Sequence, residues 1–191
     1  MSVSKKVLAY LDGKKVKYEV VPHRKVFTAY DLAQTLGEEL NKIAKTLLVK
    51  VELPELKKSG KYYVVAVPAS YRVDPAKIKK QLKAARVELA PERVFKQLGI
   101  EPGALSPFAG MHQLELLLDK TLLRTKKAIV RAGSLTESLR VAVKDLHKME
   151  KAKVGVFGGK VAGLKLQVKV QKAKRKRGSG KGKKKGRKGK R

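Results

Sequence analysis

Apolar residues recur along this chain with two periods, and the changes between them delimit its elements. Val7, Leu8 and Leu11 share one face of a helix over Val3–Leu11, which Asp12-Gly13 ends. Val16–Val21 interleaves polar residues and predicts a strand. Thr28 stands where a cap belongs for a helix over Ala29–Leu36, with Gly37 as its stop. Lys45–Val51 and Tyr62–Val67 are short β-branched-rich runs and predict strands, with Pro54–Gly60 looped between them. Asp74-Pro75 opens a helix to about Lys83, proline falling in its first turn. Pro91–Leu98 predicts another helix, stopped by Gly99. The twelve residues Gly99–Gly110 hold three glycines and two prolines and exclude regular structure. Strands are predicted at Leu114–Leu118, Ala128–Arg131 and Leu139–Val143, with a closing helical turn at Asp145–Met149. The whole predicts one α/β domain over residues 1–149.

Beyond it the pattern changes twice. Leu164, Leu166, Val168 and Val170 alternate, so residues 150–170 are expected to add a β-hairpin to the domain, with a turn at Gly158-Gly159-Lys160-Val161. From Gln171 on, the chain is almost only Lys, Arg, Gly and Ser. Such a segment buries too little apolar surface to offset its ordering entropy, so residues 171–191 are expected to be a disordered polybasic tail.

Charge sharpens this picture. The 191 residues carry a net +31, and 13 of the basic residues lie in 171–191 without an acidic one; residues 1–170 keep 34 basic against 16 acidic, or +18. Body and tail therefore attract polyanions together, and binding to them should be strongly salt-dependent. Lys172, Lys174, Arg175, Lys176, Arg177, Lys183, Lys184 and Lys185 are the candidate nucleic-acid contacts. An anionic membrane fits less well, because the tail has no aromatic or leucine to insert and no cysteine to acylate. No apolar run approaches a bilayer span and no signal peptide is apparent, so a cytoplasmic protein without membrane attachment is expected. Cysteine is absent, which removes disulfides, thiolate metal sites and a cysteine nucleophile.

The usual catalytic sets are missing. His23, His112 and His147 lack metal-ligand spacing, no Gly-x-Ser-x-Gly elbow occurs, and no glycine-rich segment ends as a P-loop does. No metal or cofactor is expected. Two features remain. Lys45 enters an apolar strand, where its ammonium either faces solvent or points into a cleft and holds an anion or carbonyl. The Gly103–Pro107 loop is either an ordinary connection or a stiff segment offering backbone N–H groups to a developing oxyanion.

Four motifs, in order, carry a resemblance over about Val3 to Met149. They are Tyr18-Glu-Val-Val-Pro-His23 followed by Thr28; Gly37 and, eight residues on, Lys45-Thr46-Leu47-Leu48; Gly99-Ile-Glu-Pro-Gly103-Ala-Leu-Ser-Pro107-Phe; and Ala132-Gly133 leading through Ser138-Leu-Arg-Val141 to Asp145-Leu146. With these the chain resembles the YbaK-like aminoacyl-tRNA deacylases, which include the editing insertion domain of prolyl-tRNA synthetase and free-standing relatives.

The resemblance implies a compact, mixed, largely antiparallel sheet with flanking helices. It implies a trans-editing hydrolase that cleaves the ester of mischarged tRNA bearing a small amino acid such as Ala, Cys or Ser. The position of Lys45 is implied to place the acylated 3′ end. Gly103, with the loop to Pro107, is implied to stabilise the scissile ester. Attack is by water, by the neighbouring ribose hydroxyl or by the substrate's own side chain. Val21, His23, Thr28, Thr46, Ile100, Ser106, Pro107, Gly133 and Ser138 match substrate-binding positions. Some relatives carry Asp where Ser138 stands, and alanine-specific ones a His near Ala132, so the amino acid stays open. Mischarged tRNA is the implied partner, with an aminoacyl-tRNA synthetase as a second. The competing reading is a non-catalytic tRNA- or RNA-binding module on the same fold.

Overall fold

The computed structural model describes residues 3–55, 60–101 and 103–161. Its helices are α1 (Lys5–Gly13), α2 (Ala29–Leu36), α3 (Pro75–Leu82), α4 (Glu92–Gln97) and α5 (Val143–Glu150). Its strands are β1 (Tyr18–Pro22), β2 (Ala44–Glu52), β3 (Lys61–Pro68), β4 (Tyr71–Val73), β5 (Arg86–Leu89), β6 (Glu115–Asp119), β7 (Lys127–Arg131), β8 (Glu137–Ala142), β9 (Lys153–Gly155) and β10 (Gly158–Lys160). None of the described helices is long and apolar enough to cross a membrane.

Local chemistry places the helices. Thr28 Oγ1 accepts from the Asp31 N–H at 3.0 Å, and Gly37 closes α2 at φ 64°, a left-handed conformation that glycine adopts without strain. Asp74 caps α3 through the Ala76 and Lys77 N–H groups, and Pro75 needs no N–H in the first turn.

The main sheet runs β5-β2-β3-β6-β9, and a second runs β1-β8-β7. Pairing is antiparallel except for β3–β6 and β6–β9, so the sheet is mixed and largely antiparallel, as expected. A parallel bridge between Ile43 and Ile129 brings the start of β2 beside β7 and joins the two sheets.

Three apolar clusters fill the spaces. The first lies between α1, α5, the glycine loop and one face of β2, β3 and β6, through Ala44, Leu48, Val64, Ala66, Leu116 and Leu118. The second lies on the opposite face, through Val49, Val65, Val67, Leu117, Ile78 of α3 and Phe157. The third sits under α2, around Val26, Leu32, Ile43 and Ile129.

The stretch after Met149 differs from expectation. Within the described residues it forms no hairpin. β9 extends the main sheet in parallel beside β6, and β10 pairs with β4. Gly158–Lys160 is strand rather than turn. The folded unit therefore runs past residue 149 to at least Val161. The cause is tertiary: Phe157 is buried in the second cluster, worth about 2–3 kcal/mol, and drags its short neighbours onto existing edges. The alternating residues Leu164 to Val170 and the whole of 171–191 lie outside the described residues.

Candidate active site

Lys45 and Thr46 are adjacent on β2 but face opposite ways. Thr46 pairs with Ala66 and points with it to the first cluster, while Lys45 pairs with Val67 on the side of the second. The Lys45 ammonium donates to the Tyr71 carbonyl. Burial, aided by the cation of Arg72, holds its pKa below the ordinary lysine range. Among the described residues neither Lys45 nor Arg72 forms an ion pair. Two cations thus stand together, neither within 4 Å of a carboxylate among the described residues. Thr46 Oγ1 is buried without a hydrogen-bond partner, a state that costs free energy until something fills its bonding capacity.

The glycine loop anchors on the other face. Leu105 and Phe108 enter the first cluster, Ile100 packs against it, and Ser106 and Pro107 are buried. Gly103 itself, at φ 84°, reaches round to the segment after β1: a side chain there would stand 3.2 Å from the Phe27 carbonyl oxygen. The Gly133 N–H donates to the Ala104 carbonyl at 3.1 Å and fastens the loop to the β7–β8 turn. Gly133, at φ 71°, backs onto Ser4 of the α1 entry, where a side chain would stand 3.0 Å from the Ser4 Cβ.

His23 and Ser138 meet from β1 and β8, where Val21 and Ser138 are register partners. His23 Nδ1 lies 2.8 Å from the Arg24 carbonyl and Nε2 lies 2.9 Å from Ser138 Oγ. A carbonyl only accepts, so Nδ1 carries the proton and Ser138 donates to Nε2. Burial holds the His23 pKa below the usual imidazole range and the Arg131 cation adds to this, against the Arg24 carbonyl and Glu137. The ring is therefore neutral near neutrality. This resembles a nucleophile–base pair, but Ser138 is fully buried and meets no substrate as a nucleophile. Thr28 spends its hydroxyl on the cap and on Asp31 Oδ2 at 2.7 Å.

Arg131 went unnoticed in the sequence. It is buried at the end of β7 and donates to the Val26 carbonyl at 2.8 Å and the Ser134 carbonyl at 3.5 Å. It thereby holds the segment whose next carbonyl, at Phe27, seats Gly103. Its only sequence signal is a cation ending an apolar strand, which 47 Lys and Arg residues conceal. Lys172 to Lys185 of the basic tail lie outside the described residues. Among those described, no group of acidic or histidine side chains is arranged to hold a metal ion.

The chain is similar to several known proteins. Residues 23–149 match the family described as the aminoacyl-tRNA editing domain. The prolyl-tRNA editing protein ProX of Acetoanaerobium sticklandii is 24% identical over 162 residues, covering 82% of this chain and 96% of that protein. The proline–tRNA ligase of Staphylococcus aureus is 31% identical over 83 residues, 43% of this chain and 13% of the ligase. The crystal structure of a proposed trans-editing enzyme for prolyl-tRNA synthetase superposes with a TM-score of 0.66 at 23% identity, covering 83% of this chain and 99% of that one.

Proposed function

We propose, from the premise that this chain belongs to the aminoacyl-tRNA editing-domain family and is a YbaK-like aminoacyl-tRNA deacylase, that it acts in trans on tRNA mischarged with alanine, cysteine or serine. The supporting observation is that the matched stretch contains both the unpaired Lys45–Arg72 cation pair and the Gly103 loop. These are separate tools. Lys45 exchanges the Tyr71 carbonyl for an anionic oxygen of the terminal nucleotide and so fixes the acylated end. The loop, whose Gly103 reaches round to the segment after β1, is assigned to the ester itself and offers backbone donors as charge develops on its carbonyl oxygen. An aminoacyl ester is already activated, so orientation and polarisation suffice without a strong base.

Selection of the amino acid is assigned to Val21, His23 and Ile100, with buried Ser138 holding His23 from behind and the buried Thr46 hydroxyl, which has no hydrogen-bond partner in this structure, as a further polar group of the site. A neutral His23 held by Ser138 keeps that wall uncharged. Incubation with tRNAs carrying alanine, cysteine or serine, on proline and other isoacceptors, tests the substrate class. Release of one of these amino acids well above the spontaneous rate supports it; release of none sinks it.

The tail is assigned to sequence-independent phosphate contact, with the work done in the cytoplasm and a synthetase as a further partner. Deleting residues 171–191 is expected to raise the KM for tRNA and flatten its salt dependence while leaving kcat near wild type. An unchanged KM at physiological salt would remove the tail from the mechanism.

A further inference from the structure

The segment between β1 and α2, with the first turn of α2, exposes aromatic surface, and Phe27 lies directly beside the glycine loop. Phe27 is 60% exposed and Tyr30 is 43% exposed. Phe27 precedes the cap residue Thr28, a position from which an apolar side chain ordinarily folds down onto the fourth helical residue. That residue is Leu32, which is 1% exposed in the third cluster. Phe27 instead keeps more than half of its surface open to solvent, so burial in that cluster does not account for a phenylalanine there.

The surroundings point to an anionic, flat ligand. Lys25 Nζ lies 5.4 Å from the Phe27 ring centroid. Gln34 Nε2 donates to the Tyr30 hydroxyl at 3.1 Å and steadies that ring at the start of α2. The Phe27 carbonyl is the wall against which Gly103 packs. The ester that the loop meets is carried on the same ribose as the terminal base. A substrate with its ester on the loop therefore brings that base to the loop's rim.

We propose that Phe27, seconded by Tyr30, is a stacking platform for the terminal unpaired base of the tRNA 3′ end, with Lys25 meeting the adjoining phosphate. This rests on the deacylase reading and adds a base-recognition subsite to it. Stacking on an aromatic ring tolerates any base and needs no groove, which suits two exposed rings, one of them flanked by Lys25, better than a protein partner does.

The test uses the full chain and an uncharged probe, so it is independent of catalysis. The probes are a labelled RNA hairpin with an unpaired 3′ end terminating in adenosine, and the same hairpin with an abasic final nucleotide. Phosphate contacts from the basic tail affect both equally and cancel in the ratio of affinities. The wild type is expected to prefer the intact end by about ten-fold. Phe27→Ala should bind the abasic probe as wild type does and lose the preference, and Phe27→Trp should keep it. Both side chains are exposed, so unchanged melting temperatures should accompany these results. A wild type indifferent to the base, or a Phe27→Ala variant that still discriminates, overturns the proposal. Deacylation without discrimination would overturn the platform and leave the enzyme reading intact; discrimination without deacylation of any charged tRNA would do the reverse.

Discussion

Lys45→Ala is expected to lower kcat/KM on the edited aminoacyl-tRNA by about 100-fold, the scale seen when one charge-stabilising donor is removed. The folded protein should survive the change. The pKa of Lys45 is depressed by burial, so its charged form destabilises the native state below that pKa. Stability lost to it returns as pH rises through the window between the lowered folded value and the ordinary lysine value. At neutral pH, replacing the ammonium relieves this cost, and the melting temperature should stay within about 3 °C of wild type. Activity moves the opposite way with pH. On the proposed role the ammonium is the working form, so the lysine-dependent part of kcat/KM should fall as pH rises through the lowered pKa, after spontaneous ester hydrolysis is subtracted. That limb should be missing from Lys45→Ala. Lys45→Arg keeps the charge but replaces a compact ammonium with a planar fork, and recovery should be partial. A kcat/KM within about threefold of wild type in Lys45→Ala would remove Lys45 from the catalytic role.

Asp119→Ala should produce the largest loss of stability, roughly 3 kcal/mol. Asp119 is fully buried at the end of β6. Its Oδ1 accepts from the Thr121 N–H at 2.9 Å and from Thr121 Oγ1 at 2.6 Å. Its Oδ2 accepts from the Phe157 N–H at 2.8 Å and the Gly158 N–H at 2.9 Å. Removing the carboxylate strands these donors where water has little access, and it releases the tie between the end of β6 and the chain entering β10. For a chain of this size the melting temperature should fall by about 6–12 °C. Asp119→Asn keeps one accepting oxygen and should lose less. Because β9 and β10 are fixed by this contact, residues 153–160 should also gain hydrogen exchange ahead of the rest of the sheet. A melting temperature unchanged in Asp119→Ala would show that the four hydrogen bonds contribute nothing net.

Asp119 also illustrates the limit of reading the chain by itself. In sequence it is one acid after an apolar strand, indistinguishable from a turn residue. Its partners Phe157 and Gly158 lie almost 40 positions away, and no local pattern announces them. The short strands β4 and β5 escaped prediction for the same reason. Tyr71–Val73 and Arg86–Leu89 are too brief and too exposed to show a period, and they exist because β10 and β2 present edges to them.

What the sequence determined alone is local or additive. The Thr28–Gly37 and Asp74-Pro75 signals set α2 and α3 because caps act within three or four residues. The apolar runs of β2, β3 and β6 were legible because buried strands need them on both faces. The ordered motifs around Lys45 and Gly103 identified the family. Tertiary structure decided the remainder. A strand apolar on both faces carries no alternation to say which way Lys45 points; only its pairing with Val67 turns it toward Tyr71 and Arg72, away from the anchors of the glycine loop. The bridge between Ile43 and Ile129, with the packing of Ala44 and Leu48 in the same cluster as Ala128 and Val130, brings β7, and with it Arg131, beside β2. Exposure of Phe27 is likewise a property of the packed α2, since a phenylalanine before a cap reads in sequence as part of the core. Side-chain direction, edge pairing and burial are relations between distant segments, and they come into being only when the sheets close.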